Sequence, residues 1–302
     1  KRQVLLMTVW LTGCVQEEFE STPSPAGNGI RFTLTVPDVN LPSVSSRTMT
    51  GTGTAKKEDE IETVDILVFD MSKTPAVFLE WASATEVTQD LADNSTVSFS
   101  AVLSPTTAST CIVVVANKEL DGIVSGFTKG VTTKVRAMEE MLHTQTGKWL
   151  ADGSTTGGYT RIPMYGEKVI SKITPSMNPI TDINMKRMLA RIDIRNNSVT
   201  SNFTVEEVYL ANYNTTGYIA PAWNTNGQVT EPAPDTPVLP TGSGKMTEEG
   251  NAILYSVNGN TPYDGEIYTF ESLAAGDAGG AGQDGEASRK DATCLIVKGK
   301  IG

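Results

Sequence analysis

Residues 30–36, Ile-Arg-Phe-Thr-Leu-Thr-Val, alternate apolar and polar side chains without a fault until Pro37 ends the run. A period of two places Ile30, Phe32, Leu34 and Val36 on one face and Arg31, Thr33 and Thr35 on the other, the pattern of a strand with one buried face. Such a strand commits the chain to a sheet whose apolar side is covered by another layer. Three further segments read as strands: Ile61 to Met71, Ser95 to Leu103, and Thr110 to Asn117. The last is apolar enough to be buried on both faces.

One helix interrupts these strands. In "VTTKVRAMEEML", Val131, Val135, Met138 and Leu142 fall at helical spacing and are expected to form a core-facing stripe. A second group of strands starts near Asp182 ("DINMKRMLARIDIRN") and continues through Phe203–Tyr213, Glu266–Leu273 and "TCLIVKGKIG". A chain of 302 residues has room for roughly two cores. Many short strands with Thr-rich turns and one or two short helices predict a mainly all-β fold of two β-sandwich domains. The expected division is residues 60–188 for the N-terminal sandwich and 189–302 for the C-terminal one. The second is expected to be incomplete, because a strand pair has just begun at Gly302.

Composition narrows the chemistry. A net charge of -11 and a pI near 4.7 argue against nucleic acid, which needs a basic face. Cys111 and Cys294 lie in apolar runs far apart, and both are expected to be buried thiols rather than a disulfide. His143 is the one histidine, so neither a Ser-His-Asp triad nor a His-based metal site has the residues it needs. Glu139-Glu140, Glu206-Glu207 and Glu248-Glu249 are sequence neighbours and point to different faces, which makes them poor acid/base pairs. Gly280–Gly285, "GAGQDG", matches a dinucleotide fingerprint, but no strand leads into it and no helical period follows, so it reads as an insertion loop. Its acids lack the EF-hand spacing for calcium. The expectation is therefore a non-enzyme with no catalytic residue, no metal and no cofactor.

The N-terminus supplies an address. Lys1-Arg2-Gln3 precede an apolar run from Val4 to Leu11, which has the form of a signal peptide and is too short to span a bilayer. Leu11-Thr12-Gly13-Cys14 resembles the lipobox of bacterial lipoproteins. That likeness implies a signal peptide over 1–13, cleavage before Cys14, a lipid on its thiol, and a segment at 14–59 that holds the precursor on the outer membrane. A short piece of the basic region is expected to precede Lys1, since no Met opens the sequence.

Taken in order, the lipobox, the alternating strand, "VDILVFD", "VVVANKE", "IPMYGE" (Ile162 to Glu167), "INMKRMLARIDI" (Ile183 to Ile194), "YTFES" (Tyr268 to Ser272) and "CLIVKGK" resemble the type V pilins, fimbrial subunits of Bacteroides-like bacteria. The likeness covers most of Cys14 to Gly302. It implies two sandwiches of transthyretin-like topology, export as a lipoprotein to the cell surface, and polymerisation after an Arg-specific protease cuts beyond the first strand. Arg47, followed by Thr48, is the one arginine between Arg31 and Arg136 and lies in a Ser/Thr/Gly-rich linker where a protease can bind extended chain.

The likeness further implies that the strand holding Ile30, Phe32, Leu34 and Val36 is removable. Each of the four gains roughly 1.5–3 kcal/mol on burial, so together they contribute on the order of 6–12 kcal/mol before entropy. A sandwich stripped of that strand would expose an apolar trough and unpaired backbone, a template for a neighbour's strand. Head-to-tail filling of that kind does not close and yields a filament. The implied partners are other fimbrial subunits, the outer membrane through the lipid, the protease, and host surface proteins or glycans in adhesion and biofilm formation. Rival readings are an anchor subunit, a tip adhesin, and a lipid-anchored glycan-binding protein that would display Trp81, Trp149 and Trp223 as an aromatic platform.

Overall fold

The architecture is mainly β, with two short helices among the described residues. The computed structural model of the chain describes residues 29–35, 59–89, 96–145, 147–149, 161–194, 202–231, 237–241, 245–246, 252–256, 265–272 and 293–302. Cys14, Val36, Arg47 and Thr48 lie outside the described residues, as does the Gly280–Gly285 motif.

In chain order the strands are β1 (Gly29–Thr35), β2 (Val64–Asp70), β3 (Val77–Ser83), β4 (Thr85–Gln89), β5 (Thr96–Val102) and β6 (Thr110–Ala116). Helices α1 (Asp121–Val124) and α2 (Lys134–Glu140) follow, then β7 (Leu142–Thr144), β8 (Met164–Ile170), β9 (Ile180–Asn184) and β10 (Lys186–Arg187). The C-terminal half carries β11 (Ala190–Ile194), β12 (Phe203–Ala211), β13 (Tyr213–Asn214), β14 (Thr216–Tyr218), β15 (Lys245–Met246), β16 (Ile253–Ser256), β17 (Gly265–Thr269) and β18 (Cys294–Ile301).

A four-stranded sheet, β4-β5-β1-β9, packs on a five-stranded sheet, β10-β8-β6-β2-β3. Between them lies a core that includes Phe32, Phe99 and Ile183 from the first sheet and Ile66, Val68, Ile112 and Val114 from the second. The residues that alternate with these, Leu67, Phe69, Cys111, Val113 and Val115, enter a second core on the other side of the five-stranded sheet. There they meet Leu120, Ala137, Met138 and Met141, together with Ile219, Ala220, Tyr268 and Phe270 from the C-terminal half. With both faces covered, every residue of β6 is buried, which is why its sequence is continuously apolar instead of alternating.

Beyond β10 the layers are thinner. The three-stranded sheet β16-β12-β18 and the pair β11-β17 share a small core of Val208, Leu210, Tyr213, Ile253 and Ile267. The run that begins at Asp182 divides: its start lies in β9, beside β1 in the first sheet, and its remainder supplies β10 and β11.

Two expectations from the sequence are corrected. Val131 is 68% exposed and Leu142 opens β7, so the anticipated stripe of Val131, Val135, Met138 and Leu142 does not form. The cause is the cap: Thr133 accepts from the Arg136 N–H at 3.2 Å and fixes the helix start at Lys134. Residues 129–131 before the cap form a turn, with the Val131 and Thr132 N–H groups donating to Thr128 O at 3.1 and 2.9 Å, so the inward residues of α2 are Lys134, Ala137 and Met138. Cys294, expected to be buried, is exposed. It begins β18, an edge strand, on the face shared with half-exposed Ile296 and Lys298 rather than with the core-facing Leu295. Cys111 is buried as expected, and both thiols are free.

Candidate functional site

β1 is an inner strand made from the chain's earliest described residues. It pairs antiparallel with β5 in unbroken register from Gly29 opposite Val102 to Thr35 opposite Thr96. Its other edge pairs parallel with β9, Phe32 opposite Ile180 and Leu34 opposite Ile183. Between those two pairs β9 carries one residue more than β1, a bulge at which Asp182 adopts φ 59°. The Thr181 hydroxyl donates to the Asp182 carboxylate at 2.8 Å, and Lys168 Nζ donates to the same carboxylate at 3.4 Å. Those bonds hold the Asp182 carboxyl below its ordinary range.

The alternation read from the sequence is the alternation of burial. Ile30 is 4% exposed and Phe32 1%, while Arg31 and Thr33 on the opposite face are half-buried. Phe32 stacks on Phe99, ring centroids 4.9 Å apart and planes 5° from parallel. Opposite β1, the inward residues of β5 run Ala101 against Ile30, Phe99 against Phe32 and Val97 against Leu34. The side chain of Leu34 lies outside the described residues. Burial of Ile30 and Phe32 alone supplies roughly 3–6 kcal/mol before entropy. Withdrawing β1 would leave β5 and β9 as facing unpaired edges above Ile66, Val68, Ile112 and Val114.

At residues 59–62, ahead of β2, polar side chains tie the chain to the rest of the fold. Arg187 pairs with Asp59, and Arg161 pairs with Glu62 at 2.6 Å and Glu60 at 3.3 Å. The Gln89 side chain donates to Asp59 O at 2.8 Å and accepts from the Ile61 N–H at 3.1 Å. Asn117, in the left-handed region at φ 59°, donates to Glu60 O at 2.8 Å and Ile162 O at 3.0 Å. This clamp draws on both sheets, Gln89 from β4 and Arg187 from β10. Neither it nor β9 has a local sequence signal. Phe99 does: Val97, Phe99 and Ala101 form the inward set of an alternating strand.

The remaining candidates are placed elsewhere. His143 packs against Trp149, centroids 5.0 Å apart, and Phe270, 6.4 Å apart. Burial pushes the Cys111 thiol up to about 12, the condition of an inert packing thiol. Of the three candidate tryptophans, Trp149 is 4% exposed, and Trp81 and Trp223 are partly buried against the core beneath α2, so the three do not form an open platform. An open cleft of about 630 Å³ beside the clamp mixes Glu62, Glu119 and Asp121 with Lys118 and Arg161. Among the described residues no group of three or more His, Cys, Asp or Glu is placed to hold a metal ion. No described helix is long and apolar enough to cross a membrane.

The chain is mainly β with an early strand seated in a hydrophobic trough, and comparison with known proteins assigns the class. Residues 30–286 match the family model described as major fimbrial subunit protein (FimA), and the chain belongs to that family. It is a family of fimbrial structural subunits rather than enzymes, which work at the cell surface in assembly with other subunits. Among solved structures, a fimbrial assembly protein from Parabacteroides distasonis is 12% identical, with 91% of this chain and 82% of that chain covered and a TM-score of 0.41. A protein of the same species described as a cell adhesion protein is 16% identical, covering 83% and 73% with a TM-score of 0.44. One from Bacteroides ovatus described as an adhesin is 13% identical, covering 89% and 75% with a TM-score of 0.37. No curated protein matches the sequence.

Proposed function

We propose that this chain is a fimbrial subunit that polymerises by exchanging β1 for a strand of the next subunit. In this reading Cys14 carries the lipid that holds the precursor on the outer membrane, and an Arg-specific protease cuts between Arg47 and Thr48. A single cut releases the subunit from the lipid and severs β1 from the remainder of the chain. The observation that carries the reading is the seat of β1: an inner strand with Ile30 and Phe32 buried, joined to β2 through residues 36–58, with side chains of β4 and β10 holding the start of the following segment at residues 59–62. Arg31 sits within the ladder, where extended binding to a protease is blocked, whereas Arg47 is in the linker. The vacated trough would take an alternating strand by β-augmentation, and head-to-tail repetition would make a filament for adhesion and biofilm formation.

The test is incubation of the purified chain with an Arg-specific protease, followed by N-terminal sequencing and non-boiled gel electrophoresis. A product beginning at Thr48 and a ladder of SDS-resistant species are expected, and Arg47→Ala is expected to stay monomeric. Cutting elsewhere, or ladders formed equally by Arg47→Ala, would remove the mechanism.

A further inference from the structure

The trough around β1 is not uniform along its length. An alternating strand can slide by two residues in a smooth antiparallel ladder and still present its apolar face inward, because the side-chain period is two. The ladder to β5 is smooth across all its pairs, so its hydrogen bonds do not select among such registers. The side chains do. Along β5 the inward positions run small, aromatic, β-branched: Ala101, Phe99, Val97. The large Ile30 lies over the small Ala101, and the flat Phe32 ring lies parallel on Phe99, both rings almost fully buried. A slide of two would set an aromatic ring against Ala101 or Val97 and leave Phe99 without a stacking partner.

The opposite wall breaks the degeneracy a second time. β9 is bulged between Ile180 and Ile183, with Asp182 at positive φ, and that one irregularity falls beside the Phe32–Leu34 step of β1. A displaced strand would meet the bulge one step too early or too late.

From these features, and on the reading that β1 is exchanged, we infer that Phe99 selects the occupant. The trough takes a strand from another subunit that carries a large aliphatic residue and, two positions on, a flat aromatic residue, entering in a single register. Phe99 is a specificity-determining residue, and the β9 bulge enforces the same register from the other side.

The experiment has two arms. In the intact chain, Ile30→Phe/Phe32→Ile keeps composition, hydrophobicity and alternation but moves the ring off Phe99. A fall in Tm of about 5 °C relative to the parent is expected, shrinking when the same exchange is made in a Phe99→Leu background. An unchanged Tm would overturn the inference without reference to any exchange. In the second arm, chain treated with the Arg-specific protease is titrated with fluorescein-labelled peptides of residues 29–36, one parental and one bearing Ile30→Phe/Phe32→Ile. The parental peptide is expected to bind about tenfold more tightly, with the difference lost in Phe99→Leu. Equal binding of both peptides would overturn the selection by Phe99 while leaving strand exchange standing. Binding of neither, with β1 retained after cutting, would overturn strand exchange itself.

Discussion

The two halves of the molecule use the same residue types to opposite effect. In β6, Ile112 is fully enclosed, with cores on both sides of its sheet. In β18, Ile296 is 44% exposed and Val297 45%, on a strand that, among the described residues, pairs only with β12 and covers a core of a few residues. In the proposed exchange, what would hold the N-terminal half together without β1 is the second face of β2, β6 and β8, which packs on α2 and on segments from the C-terminal half. No such second layer backs β12 and β18 among the described residues. The proposed exchange of β1 thus rests on the sheet opposite to it.

The sharpest way to break that contrast is a matched truncation. Ile112→Ala and Ile296→Ala remove the same atoms from strands of the two halves. The first is expected to cost about 3 kcal/mol, because it leaves a cavity in a dense core, and the second less than about 1 kcal/mol. Urea denaturation followed by tryptophan fluorescence measures both; similar costs would mean that the layer behind β6 contributes little.

A smaller effect is expected from the charged residues of the two halves. Lys134, 2% exposed at its side chain, donates to Glu167 at 2.6 Å, and Tyr165 donates to the same carboxylate oxygen. Removing the cation by Lys134→Met leaves the carboxylate uncompensated beneath α2. The loss is expected to be about 2 kcal/mol, below the range for fully buried pairs, because Glu167 is 21% exposed. Lys134→Met/Glu167→Gln should recover part of it. Lys300→Ala on β18, whose ammonium is solvent-exposed and paired with Glu206, is expected to leave the denaturation midpoint unmoved.

How far the sequence speaks for itself differs between these regions. The period of Ile30 to Val36 declares a half-buried strand, and the unbroken apolar run of β6 declares a doubly covered one, because local pattern and burial agree there. Val131 misleads since helical spacing was satisfied before the true start, and the deciding signal was the capping hydroxyl of Thr133. Cys294 misleads for another reason: "TCLIV" opens as apolar as "TCIVV", but how much of each strand is covered depends on layers contributed from elsewhere in the chain. The site is legible only in part. Ile30, Phe32 and Phe99 announce themselves by alternation, whereas the parallel partner β9, its bulge at Asp182, and the clamp of Arg161, Arg187 and Asn117 are long-range pairings without a local signature.

The finest probe of the contrast lies where the halves meet. His143 is on β7, opposite Gly217 of β14, with its ring against Trp149 and Phe270. Burial first, and the nearby charge of Lys118 second, push its pKa below the ordinary 6.5, with a hydrogen bond to Gln145 acting the other way. The unfolded chain then binds a proton at pH values where the folded imidazole stays neutral, so stability falls as pH drops below about 6.5 and the loss levels off once the folded ring is protonated too. Unfolding midpoints from about pH 8 down to about pH 5.5 should therefore decline more steeply for the parent than for His143→Phe, which keeps an aromatic ring at the junction but cannot titrate. Parallel declines would mean that water reaches the imidazole in the folded state, and that the contact between the two halves is looser than the packing of Trp149 and Phe270 around it implies.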